Sequence, residues 1–131
     1  SVVNLDGFVT ESVSGGAHWG GGLWVDTLDH ARFGMLYLNR GRWGGKPLVS
    51  EKWIDMMTVP CDQNDQYGYM WWLNSGGVRY GKNASESTFS ASGAGGNCVI
   101  IDPEKDLVVV TRWCEDVAGV VDLAAQAVGS N

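Results

Sequence analysis

Thr88-Phe89-Ser90-Ala91-Ser92-Gly93-Ala94-Gly95-Gly96-Asn97-Cys98-Val99-Ile100-Ile101-Asp102-Pro103-Glu104-Lys105-Asp106-Leu107-Val108-Val109-Val110-Thr111-Arg112-Trp113 is the stretch that decides the fold. A short polar strand runs into a glycine turn, and two apolar, β-branched strands follow. Their four-residue link has Pro103 where a type I turn takes it and Asp on either side, which predicts a tight hairpin. With Asp102 opposite Leu107, one face carries Val99, Ile101, Val108 and Val110. The other carries Ile100, Leu107 and Val109, with Cys98 and Thr111 beyond. A ribbon apolar on both sides belongs inside a sheet covered on both faces. The expectation is that this chain provides those covering layers only in part.

Upstream, residues 1–13 alternate weakly around the turn signal Leu5-Asp6-Gly7-Phe8 and predict a strand pair or an extended lead-in. Gly15 to Gly22 are too rich in glycine for a regular element. Asp26 or Thr27 caps a helix with the apolar stripe Leu28, Ala31, Met35 and Leu38, ended by Gly41. Residues 41–47 read as a loop. Ser50 caps a short helix that turns Trp53, Ile54 and Met57 inward. Tyr67 to Leu73 reads as an aromatic strand, and Gly76-Gly77 turns it toward Val78–Tyr80. Asp116 caps a last helix with Val117, Val120, Val121, Ala124 and Val128 at helical spacing. Trp24, Trp53 and Trp113 are expected in the core, and Arg112 with Glu115 in an ion pair or on a solvated edge.

At 131 residues the chain is a single domain at most, long enough to bury roughly two thirds of its unfolded surface. Charged residues are sparse at 18%, while Gly (19) and Trp (7) are over-used, which suits tight turns around a cleft. The net charge of −6, without any run of Lys or Arg, argues against nucleic acid as a partner. No apolar stretch is long enough to span a bilayer. The three cysteines have no C-x-x-C spacing, and Cys98 reads as a small buried hydrophobe.

Several common motifs fail. Gly44-Gly45-Lys46 runs into Pro47 and lacks the upstream glycine of a phosphate loop; Gly93–Gly96 leads into a strand, not a helix. His18 and His30 are the only histidines, with no metal-ligand spacing, so neither a metal nor a cofactor is expected. G-x-S-x-G is absent.

Other segments carry a resemblance. Gly20-Gly21-Gly22-Leu23-Trp24-Val25, followed by Asp29-His30-Ala31-Arg32-Phe33-Gly34-Met35-Leu36, resembles the serine β-lactamase and penicillin-binding-protein-like hydrolases. The similar branch is the class C-related one, with its esterases, D-aminopeptidases and 6-aminohexanoate-dimer hydrolases. Arg40–Trp53, Tyr67–Trp72 and Asp102–Val110 continue it in the same order. The resemblance implies an α+β fold: an antiparallel sheet with a C-terminal helix packed on it, and two helices from a helical lobe. Residues 1–60 would belong to that lobe and 67–131 to the sheet and last helix. It also implies a bacterial hydrolase that cleaves a small amide, ester or peptide through an acyl-serine intermediate, with a periplasmic or secreted location favoured.

In that family the nucleophile is the Ser of S-x-x-K, whose Lys takes the Ser proton. No Ser in this sequence has Lys three residues later. Tyr37-Leu38-Asn39 spells the second motif, Y-x-N, but falls where the family has a leucine-rich segment and Asn-Gly, and is not counted. The chain thus resembles the C-terminal portion of such an enzyme, expected to be silent alone. The third motif, K-T-G or H-x-G, falls in register on Ala91-Ser92-Gly93. Gly93 matches, Ser92 supplies a hydroxyl, and Ala91 stands where the family has a cation. The resemblance implies that the backbone N–H of Ala94 supplies half of an oxyanion hole. His18 and Trp19 would lie at the substrate rim.

Blander roles fit the same residues. Ser92 could satisfy a strand edge, Gly95 and Gly96 could only turn the chain, and His18 could bond to nearby backbone. A rival function is a non-catalytic, Trp-rich module that takes carbohydrate or peptidoglycan on Trp19, Trp43 and Trp71. A third is a free-standing hydrolase that uses Ser92 with His18. For the hydrolase portion, unpaired sheet edges predict a homodimer, a strand-swapped oligomer, or pairing with the missing N-terminal half.

Overall fold

The computed structural model describes residues 2–3, 9–12 and 23–129, the first three strands by backbone alone. The glycine-rich stretch, His18 and Trp19, and the side chain of Trp24 lie outside the described residues. β1 (Val2–Val3) and β2 (Val9–Ser12) form the expected strand pair, and β3 (Leu23–Trp24) pairs antiparallel with β2. The fold is α+β, with helices on an antiparallel sheet.

That sheet has the strand order β6 (Trp72–Leu73), β7 (Phe89–Gly93), β8 (Asn97–Asp102), β9 (Leu107–Thr111), all antiparallel. Asp102 pairs with Leu107 and Cys98 with Thr111, the predicted register. The four-residue link is the expected tight turn, closed by a left-handed residue. Pro103–Lys105 make a 3-10 turn, Asp102 Oδ1 accepts from the Lys105 N–H at 3.3 Å, and Asp106 takes a left-handed φ of 49°.

Val99 and Ile101 are sealed in one cluster with Ile54, Met57, Trp71, Leu73 and Phe89, against which Val108 and Val110 pack. Cys98 and Ile100 are sealed in the other with Tyr80, Ala84, Val121 and Ala125, against which Leu107 and Val109 pack. The chain's own helices therefore close β8 on both faces, contrary to the expectation of partial layers. That expectation describes β9, the outer strand, where Leu107 to Val110 are all half-buried.

α1 (Thr27–Leu38) is capped by Asp26, whose side chain accepts from the Asp29 N–H at 2.9 Å. Gly41, at φ 80°, closes it by donating to the Leu36 carbonyl at 2.8 Å. The predicted stripe is rotated. Leu28 is 62% exposed and Met35 also faces out, while Gly34 is buried against Val99 and Val108. With no side chain at Gly34, the helix backbone reaches the sheet, and the neighbouring faces of Tyr37 and Leu38 follow it inward. A search for large apolar residues passes over that position.

Residues 41–47 form a hairpin, not a loop. β4 (Arg42–Trp43) pairs with β5 (Lys46–Pro47) across Gly44 and Gly45, both at positive φ as a two-residue hairpin turn requires. Ser50 caps α2 (Glu51–Met57) as expected, yet only Ile54 and Met57 go inward; Trp53 is 44% exposed against Tyr69. The aromatic segment reverses on itself. Tyr67 bridges to Trp72, Met70 takes φ 65°, and only Trp72–Leu73 join the sheet. α3 (Val117–Val128) has the predicted Asp116 cap, but Val121 and Ala125 form its buried line while Val120 and Val128 stay exposed. Trp113 is 80% exposed, not core. Arg112 donates to the carbonyls of Val25 and Asp26 and so ties β9 to the start of α1.

Candidate functional site

β7 is paired along its whole length with β8, from Phe89–Ile101 to Gly93–Asn97. On its other side β6 reaches only Phe89 and Ser90. Among the described residues, Ala91, Ser92 and Gly93 therefore lie on an uncovered strand edge. Such an edge is a template for an extended ligand. Alternation along the strand sends Ala91 toward the Trp71 cluster and Ser92 to the opposite face, beside Ser90.

Two glycines and two side-chain hydrogen bonds shape the turn after the strand. Gly95 and Gly96 have φ of 75° and 68°, and a Cβ on Gly96 would collide with the Cys114 carbonyl, so both need glycine. Asn97 Nδ2 donates to the Ala94 carbonyl at 2.8 Å, and Thr111 Oγ1 donates to that of Gly96 at 2.8 Å. The exposed indole of Trp113 lies over Gly95.

Beneath Ser92 is a polar chain that sequence reasoning missed. Ser90, fully buried, has its Oγ 3.1 Å from Ser92 Oγ and 2.5 Å from the Tyr80 hydroxyl. Arg79 Nε donates to that hydroxyl at 3.1 Å, and its guanidinium lies 4.4 Å from the centroid of the Trp72 ring. The available signal was Ser90 and Ser92 sharing one face of a strand whose neighbour is apolar.

Other candidates fall elsewhere. Tyr37 packs on Phe33 and Trp71, at centroid distances of 4.9 and 4.7 Å, and burial raises its pKa. His30 is held below its ordinary pKa by burial and, second, by the Arg112 charge. A cleft of about 330 Å³ opens at the far end of β7, lined by Tyr37, Arg40, Ile54, Thr88, Phe89 and Pro103. It does not include Ser92 or Gly93. Trp71 is 6% exposed, which removes it from the proposed carbohydrate platform; Trp43 sits on the β4–β5 hairpin. Among the described residues, no cluster of His, Cys, Asp or Glu could hold a metal ion. No described helix is long and apolar enough to cross a membrane.

No family model matches the chain. Over 99 residues, 73% of its length, it is 28% identical to an Escherichia coli O157:H7 protein named "Putative D-alanyl-D-alanine carboxypeptidase", of which it covers 23%. In structure, 83% of the chain matches 30% of the "Putative 6-aminohexanoate-dimer hydrolase from Bacillus anthracis", with a TM-score of 0.61 and 20% identity. The chain thus spans between 23% and 30% of the length of these two proteins. Over that part it is related to the β-lactamase and penicillin-binding-protein-like serine hydrolases, and its fold is a partial version of theirs.

Proposed function

We propose that this chain forms one wall of an acyl-transfer site in a serine hydrolase for amides or esters, and that it contributes neither nucleophile nor base. The observation that carries this proposal is the coincidence of two features. The family's cleft motif falls in register on Ala91-Ser92-Gly93, and there β7 runs past its partner β6 and, among the described residues, leaves an open edge. A substrate laid along that edge would present its carbonyl near the N–H of Ala94. When a serine oxygen adds to that carbonyl, the negative charge grows on the carbonyl oxygen, and a fixed N–H aimed at it lowers the barrier. The serine proton passes to the family's lysine, the leaving amine or alcohol departs with a proton, and water later releases the acyl group.

Ala91 narrows the substrate. Without a cation at that position, nothing in the strand offers an ion pair to a substrate carboxylate, so neutral amides and esters fit better than free acids. Ser92 would supply a neutral hydrogen bond in its place.

The outer edge of β9, with its half-buried valines, would take a further strand from a second copy or from the segment that brings the nucleophile. Light scattering of the isolated chain distinguishes a dimer from a monomer. The catalytic proposal is tested by ester and amide turnover. The 131-residue chain should give none, and addition of a segment carrying S-x-x-K should restore it. Turnover by the chain alone would overturn the proposal.

A further inference from the structure

We infer that Tyr80 and Arg79 are positioning residues that fix the direction of the Ser92 hydroxyl and make it a donor toward the open edge of β7. The substrate-facing role of Ser92 rests on the function proposed above; the direction of the hydrogen bonds does not.

The direction follows from what each group can do. An arginine Nε–H can only donate, so the Tyr80 oxygen accepts from Arg79 at 3.1 Å. Tyr80 is 3% exposed, and the partner for its own proton is Ser90 Oγ at 2.5 Å. Were Ser90 to donate to Tyr80 instead, the buried phenolic proton would be left without a partner, which costs more than an ordinary hydrogen bond returns. Ser90 is fully buried too, and after accepting from Tyr80 it sends its proton to Ser92 Oγ at 3.1 Å. Ser92 is exposed, so with a lone pair occupied by Ser90 its own proton points outward. Polarisation along such a chain strengthens the last donor. Arg79, held on the faces of Trp72 and Tyr80, sets the polarity of the whole series. The group that suits the terminus is an acceptor without a proton of its own, such as an ester or amide carbonyl oxygen.

Neutron diffraction on the deuterium-exchanged protein reads the direction. The expected densities place the Tyr80 deuteron toward Ser90 and the Ser90 deuteron toward Ser92. A Ser92 deuteron pointing at Ser90 would overturn the inference. Kinetics of the active, S-x-x-K-containing protein read the consequence. Ser92→Ala should raise KM for a neutral ester by about two- to tenfold, the scale of one hydrogen bond. Tyr80→Phe, which keeps the packing of the ring, should do nearly the same, and the double variant should be no worse than either alone. Additive effects, or an unchanged KM in Tyr80→Phe beside a raised one in Ser92→Ala, would defeat the positioning role. An unchanged KM in Ser92→Ala, with the neutron result as expected, would instead defeat the substrate role and leave the hydrogen-bond direction standing.

Discussion

Gly34 on α1 and Val108 on β9 meet so closely that a Cβ on the glycine would lie 2.7 Å from Val108 Cγ1, and 2.8 Å from Val99 Cγ2. Valine methyls are short and stiff, so they cannot swing clear. Gly34→Ala should therefore destabilise the protein by about 1–3 kcal/mol despite the better helix propensity of alanine. Urea unfolding measures it, and Met35→Ala, on the exposed side of the same helix, should change stability far less.

Asp102 is buried at the turn between β8 and β9 and holds two separate segments. Its Oδ2 accepts from the Ser85 N–H at 2.9 Å and its Oδ1 from the Lys105 N–H. Asp102→Ala leaves Ser85 without that acceptor, and a loss of about 2 kcal/mol is expected. Hydrogen exchange should rise at Ser85 and Lys105 ahead of the strand interior.

His30 predicts an acid-side loss of stability. Burial, and after it the Arg112 charge, holds its folded pKa below the ordinary 6.5, so the unfolded chain binds the proton more readily. The contribution is complete above the unfolded value and is lost as pH falls from there toward the folded one, where it levels off. Melting temperature followed from neutral to mildly acid pH should show this slope, and His30→Gln should flatten it.

Ala94 carries the oxyanion prediction. Replacement of its amide by an ester removes the N–H and leaves the side chain in place. In the active protein kcat should fall by about 10²–10³ with KM little changed. An unchanged kcat would place the oxyanion donor elsewhere.

Gly95→Ala should disturb the turn beside it, because the residue has φ 75° and a Cβ would lie 2.7 Å from the Trp113 ring. A shift in Trp113 fluorescence with far-ultraviolet circular dichroism unchanged is the expected result.

The hairpin from Asn97 to Thr111 was legible because two unbroken, β-branched apolar runs flank one short Asp-Pro turn, and the turn sets the register. The caps at Asp26, Ser50 and Asp116 were legible because a side-chain oxygen three residues before a helical N–H is a local signal. What failed was decided by distant partners. α1 turned on Gly34, which has no hydrophobicity to detect, and Trp113 left the core because a positive φ of 49° carries it over Gly95. Residues 67–73 reversed because Gly68 packs on the Met57 carbonyl. In the candidate site, Ser92 and Gly93 enter through the resemblance and stay a proposal, whereas the contacts of Tyr80 and Arg79 had no signal in the sequence. Their link to Ser90 crosses from a loop to a strand, and neither composition nor spacing records it.

In the function proposed above, this chain shapes the cleft and leaves the nucleophile to another segment. Fluorophosphonate labelling of the chain mixed with the S-x-x-K segment, with the adduct mapped by mass spectrometry, tests it most directly. The predicted adduct lies on the serine of S-x-x-K, with none on residues 1–131. An adduct on Ser92 would contradict the claim.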